Sequence, residues 1–204
     1  MSAQTLKDFG STMPYFYLTP SEASFSKFQI AADHFRTELV GGENGAALLT
    51  SVMIARISEK NGWPIADGAF SATAKEILGG QSELATYIAD DSKVDPTKLD
   101  VWWTSFFGTG DDRYLENIFR YTGLEFPKGD ISGMLVIGAA TWSFKSNCQQ
   151  HKRVLEFAKQ KLSSPGIPES QITFLKECIS SAQQSDIEES SSSGDEEKAS
   201  SRRE

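Results

Sequence analysis

Asn147 and His151 stand four residues apart, so an unbroken helix sets both on one face. An asparagine that orients an imidazole is a workable general base near neutral pH. No Ser or Cys nucleophile in a familiar context completes such a site, and Cys148, next to Asn147 in sequence, points to a different face. The plainer reading is that both side chains serve backbone groups where two helices meet. His34, between Asp33 and Phe35, lies on the polar edge of its helix, where a structural histidine is ordinary. Asp90-Asp91 and Asp111-Asp112 carry oxygen ligands for a cation, but neither has calcium-loop spacing, and capping and turn chemistry account for both. The glycine pairs at 41–42 and 79–80 do not sit between a strand and a helix, and no GxxxxGK motif is present, so a phosphate cradle has no support. Cys148 and Cys178 have no zinc-ligand spacing and read as reduced core thiols. No catalytic, cofactor-binding or metal-ligating residue is therefore assigned, and no cofactor is expected. His151 and Asn147 are the pair a catalytic reading has to use.

The elements that position these residues are helices. Leu99, Trp102, Trp103, Phe106 and Phe107 recur at i, i+3, i+4, i+7 and i+8, one apolar stripe. Gly110 can close that helix in the left-handed conformation, Asp111 or Asp112 can open the next, and Tyr114, Leu115, Ile118 and Phe119 continue the apolar face. Residues 99–122 thus read as an αα-hairpin that anchors the core, each large side chain contributing about 1.5–3 kcal/mol on burial. Thr19-Pro20-Ser21-Glu22 reads as a helix start with Thr19 as cap, leading to Phe25, Phe28, Ala32, Phe35 and Leu39 on one side and ending at Gly41-Gly42. Asn44 is positioned to cap the next helix, whose apolar residues from Leu48 to Ile57 surround it and mark it as central. Short helices follow at 69–78 and 81–89. Asp130 caps the most apolar stretch, 131–144, which reads as a buried helix; its Gly133, Gly138, Ala139 and Ala140 leave room for a close neighbour. Val154, Leu155, Ala158 and Leu162 mark one further helix, and Ile172, Leu175, Ile179 and Ala182 are expected to face inward on the last.

No segment alternates apolar and polar residues for long enough to make a strand. The fold class is all-α, built of packed helix hairpins, as an irregular bundle or a degenerate solenoid without a fixed period. Residues 1–18 read as an extended lead-in pinned by Phe16, Tyr17 and Leu18, residues 19–184 as one helical domain, and residues 185–204 as a tail. That tail holds seven acidic and three basic residues, half the chain's net charge of −8, with Ile187 its only large apolar side chain. Such a composition cannot offset ordering entropy, so the tail is expected to be disordered.

The charge also limits partners. An acidic chain whose Lys/Arg residues nowhere cluster beyond a short pair such as Arg202-Arg203 is not built for nucleic acid or anionic membranes. No basic stretch followed by an apolar one begins the chain, and its longest uncharged apolar run, about 14 residues, is too short to cross a bilayer. A cytoplasmic location is expected, or export without an N-terminal signal peptide. Ser190 to Ser193 before Asp195-Glu196-Glu197 suit an acidophilic kinase, and an acidic Ser-rich C-terminus resembles the export signals of bacterial type IV effectors.

Trp103-x-x-Phe106-Phe107-x-Thr109-Gly110-Asp111-x-x-Tyr114, Ala140-x-Trp142-Ser143-x-x-Ser146-Asn147 and His151-x-x-Val154-Leu155 follow one another in a set order. Together, over about residues 44–160, they resemble a family of uncharacterised bacterial helical proteins. The resemblance implies a helical fold and no activity. Lys152 stands where those proteins often have Pro. The expectation that results is a non-enzymatic helical module that binds a protein partner, in an oligomeric state the sequence leaves open, with export through the tail as one route. The alternatives are a small hydrolase or transferase centred near His151, and a helical domain that holds an apolar ligand.

Overall fold

The computed structural model describes residues 5–41, 45–126 and 129–200, with residues 185–200 given by their backbone alone. The fold is all-α: among the described residues every regular element is a helix and none is a strand. The chain divides into two compact units, Met1–Asn117 and Ile118–Glu204.

The first unit begins with α1 (Leu6–Thr12) and a 3-10 helix (Met13–Leu18), which replace the extended lead-in expected over 1–18. A local signal explains the difference. Thr5 and Asp8 form a capping box, each side chain bonding the other's backbone N–H at 3.1 Å, and Pro14 starts the 3-10 turn. Phe9 is thereby buried and stacks on Phe28 at 5.3 Å. Leu18 stays largely exposed, so it does not pin the segment, whereas Tyr17 packs on Phe106 at 5.0 Å. The cap of α2 (Glu22–His34) is Ser21 rather than Thr19, because Ser21 and Ser24 satisfy each other's N–H groups. A break at Phe35 separates α2 from α3 (Arg36–Gly41), yet Phe25, Phe28, Ala32, Phe35 and Leu39 are all buried as their spacing requires. Gly42 and Asn44, expected to end one helix and cap the next, lie outside the described residues.

Helix α4 (Ala46–Asn61) is central to this unit, burying every residue from Thr50 to Ala55 as well as Ile57. It packs against α5 (Ser71–Gly79) and α7 (Pro96–Thr109), with α6 (Glu83–Ala89) beside α5. Gly108 permits the close approach of α7: a Cβ there would lie 3.2 Å from Ile57 Cγ1. The expected hairpin is present, with Asp95 capping α7, Gly110 closing it at φ 65°, and α8 (Asp112–Phe119) following. Leu99, Trp102, Trp103 and Phe106 are buried and Phe107 is half-buried.

In the second unit α9 (Ile131–Gln150), α10 (Lys152–Leu162) and α11 (Glu169–Ser200) pack together. Phe144 lies at the centre of an aromatic cluster, with Phe119, Phe157 and Phe174 at 6.0, 6.1 and 6.0 Å. The inward face of α11 is Gln171, Phe174, Leu175, Cys178 and Ala182, so Ile172 and Ile179 are half-buried rather than central. A polar residue displaced the expected register: Gln171 Nε2 donates to the carbonyls of Phe119 at 3.1 Å and Thr122 at 3.0 Å, which demands that position 171 face inward. Gly123 completes this turn at φ 61°, with its N–H donated to Thr141 Oγ1; a Cβ there would meet Phe174 Cβ at 2.9 Å. Helix α11 runs on to Ser200, into the segment expected to be a disordered tail; that tail, in its side chains and in residues 201–204, lies outside the described residues.

Candidate functional site

Helix α9 has two faces of unlike fate. Asp130 accepts the Gly133 N–H at 2.9 Å and starts the helix. Val136, Ile137, Ala140, Phe144 and Cys148 are buried against α10 and α11. The opposite side, however, leaves Ile131 75 %, Met134 41 %, Leu135 59 % and Trp142 74 % exposed. At 100° per residue Ile131, Leu135, Gly138 and Trp142 form one stripe, with Met134 on its flank. No charged residue interrupts 131–144, and Lys145 is the first on the helix. The stretch expected to be buried is therefore buried on one side only. Gly138 lies on the open side: a Cβ built there meets nothing within 4 Å among the described residues, so none of them is the close neighbour that its small size invites.

The sequence pair Asn147 and His151 sits at the end of the same helix. Asn147 Nδ2 donates to the Ser143 carbonyl at 2.9 Å, within its own helix. The helix then breaks: His151 is extended at φ −126° and ψ 107°, its N–H closes α9 on the Asn147 carbonyl, and its carbonyl accepts from Val154 to open α10. The break stands without a proline. His151 is only 2 % exposed, and burial holds its imidazole below the ordinary histidine range, so it is neutral at pH 7. Cys148 and Cys178 are both free and buried, facing each other from α9 and α11. Contact with the Cys178 sulfur, and then burial, push the Cys148 thiol up, which makes it a poor nucleophile.

The first unit holds a polar cluster that the sequence did not reveal. Asp95 Oδ1 accepts the Lys98 N–H at 2.8 Å and the Tyr87 hydroxyl at 2.9 Å. Lys98, fully buried, donates Nζ to the Tyr87 carbonyl and lies 4.6 Å from the Tyr87 ring centre. Burial lowers the Lys98 pKa against the pull of Asp91, Asp90 and Asp95. Burial first, then the bond to Asp95, raises Tyr87 to about 12. Asp91 takes the indole N–H of Trp102 at 2.9 Å and Asn117 Nδ2 at 2.8 Å, while Asp90 turns on the backbone and hydroxyl of Ser92. Asp91 and Asp95 thus tie α6, α7 and α8 together, and Asp111 caps Arg113 at 3.0 Å. His34 is exposed at the end of α2, its ring edge-on to Phe35. Among the described residues no three His, Cys, Asp or Glu side chains converge as a metal site. An open groove of about 450 Å³ runs between α1, the 3-10 helix and α2, lined by Phe9, Met13, Phe16 and Phe28 with Lys27.

The α9 face was missed because 131–144 is apolar all round, and hydropathy alone cannot choose which half of such a helix meets the core. The signal lies in the spacing of the largest core residues: Val136, Ala140, Phe144 and Cys148 share one side, which leaves Trp142 on the other. No helix among the described residues is long and apolar enough to cross a membrane. Comparison with models of protein families, with curated proteins and with solved structures finds no match to the chain.

Proposed function

We propose that the protein is a non-enzymatic helical module that binds another polypeptide through the outer face of α9. The observation that carries this reading is the stripe of Ile131, Leu135 and Trp142, left open on a helix whose opposite side is fully packed. Uncharged apolar surface of this kind, on the order of a few hundred Å², marks contact sites on folded proteins. A tryptophan beside a glycine notch has the form of an interface anchor: a large rigid side chain next to a recess for a partner's own. A rigid three-helix support, held by Gln171 and the phenylalanine cluster, keeps the stripe in place before the partner arrives.

The competing reading, a hydrolase or transferase at His151, draws less support: the imidazole is buried and the Asn147 amide is bonded to Ser143. An apolar-ligand reading is favoured by one feature, the groove beside Phe9 and Phe28. The test of the interaction reading is a photo-reactive side chain placed at position 135 in the source cell. A discrete cross-linked product that is lost when Trp142→Glu is added is the expected result. Irradiation that yields no product, or a product indifferent to Trp142→Glu, refutes it.

A further inference from the structure

Resting on the reading that the α9 face is a contact surface, we infer that its occupant is a second copy of this chain, seated antiparallel across α9 about a two-fold axis beside Gly138. The stripe is complementary to itself. An axis at Gly138 sets Trp142 of one copy against Met134 and Leu135 of the other, and the reverse, so each indole covers the two apolar side chains on the partner's flank. The open space at Gly138 falls on the axis, where two helix backbones must come closest.

Charge agrees with the same register. Lys145, the only charged residue of α9, lands by Asp130 of the second copy, and Asp130 is the carboxylate at the helix start. Within its own chain Lys145 is held loosely, 3.9 Å from Glu177. Antiparallel α9 helices also oppose their dipoles favourably. The four side chains expose a patch within the roughly 300–600 Å² typical of functional contacts. Two such patches meet the roughly 1,000 Å² where specific interfaces begin. A surface of anionic lipid is a poor rival for a chain of net charge −8 whose α9 stripe offers one lysine.

Sedimentation velocity on the full chain between ~1 and ~100 μM gives the test. The expected result is a rise from monomer to dimer mass. Gly138→Leu and Leu135→Glu should each weaken dimerisation at least ~10-fold. Gly138→Leu has free space in the single chain and a better helix former in place of glycine, so its melting temperature should not fall. Gly138→Cys, oxidised with diamide, should link two chains through the axis, while Ile131→Cys should not. A chain that stays monomeric throughout, or a dimer that Gly138→Leu and Leu135→Glu leave unchanged, overturns the inference. The in-cell cross-link from position 135 separates the two levels: a monomer that still captures another polypeptide there overturns only the second copy, whereas a monomer that captures nothing overturns the contact surface as well.

Discussion

Gln171→Met removes two hydrogen bonds while leaving the volume of the side chain nearly unchanged, so it isolates what the amide does. Its Nε2 supplies both protons, one to the Phe119 carbonyl and one to the Thr122 carbonyl. The two acceptors are not equivalent. Phe119 O also receives the N–H and the hydroxyl of Thr122, at 3.0 and 2.9 Å, so its loss is one ordinary bond of about 1 kcal/mol. Thr122 is fully buried, and its carbonyl gains an unmet desolvation cost of about 1–3 kcal/mol. The variant should therefore lose about 2–4 kcal/mol from the unit Ile118–Glu204. Against the ~5–15 kcal/mol of a typical domain this is a large share, on the order of 10–20 °C in melting temperature. The assay is urea-dependent hydrogen exchange read at the amides of α9, α10 and α11, which follows this unit rather than the whole chain. Gln171→Glu should be worse than Gln171→Met at pH 7, because a carboxylate faces two carbonyls, and should recover in part as acid protonates it. A loss under ~0.5 kcal/mol for Gln171→Met, or equal behaviour of the two variants at every pH, refutes the assignment.

Tyr87 holds its proton to about pH 12 in the folded chain and to about 10 when unfolded, so the folded state binds more protons between those values. Stability present below pH 10 should fall as pH rises through that window, and Tyr87→Phe should flatten the alkaline slope in a pH series of urea melts. His151 has the opposite sign. Its folded pKa lies below the ordinary value of 6.5, so the unfolded chain takes up the proton first, and stability should decline as pH falls below about 6.5. His151→Gln should remove that slope, and its loss of any activity detected in the parent by hydrolase and transferase panels would overturn the non-enzymatic reading. Deleting residues 185–204 should leave the melting temperature of the chain unchanged, because that segment carries a single large apolar side chain, Ile187. If the tail is an export address, the same deletion should also abolish translocation of a reporter fusion, since the dense acidic-Ser element leaves with it.

Elements whose instructions are local were legible from the residues themselves. The α7–α8 hairpin is specified within about twenty residues, by the aromatic stripe, Gly110 and the aspartates that follow it, and it forms where expected. The capping box Thr5–Asp8 is just as local, but it contains Asp rather than the usual Glu or Gln, and the helix it opens was read as extended. What depends on distant partners was not legible. Gln171 turns inward to serve carbonyls nearly fifty residues earlier, and no periodicity of α11 carries that information. Lys98 is fully buried because the Tyr87 carbonyl and ring accept it, although a lysine in a first helical turn ordinarily faces water. The outer face of α9 failed for a different reason. Apolar composition predicts burial only when the whole helix is surrounded, and here one half of it is exposed.

On the reading proposed above, this half of α9 is open in the chain and closed by another polypeptide. Oxidative footprinting of tryptophan, read residue by residue by mass spectrometry, tests it most directly. In dilute purified protein Trp142 should oxidise readily while Trp102 and Trp103 stay protected, and inside the source cell Trp142 should become protected as well. Protection of Trp142 equal to that of Trp102 in the dilute protein, or oxidation of Trp142 unchanged in the cell, would contradict the account.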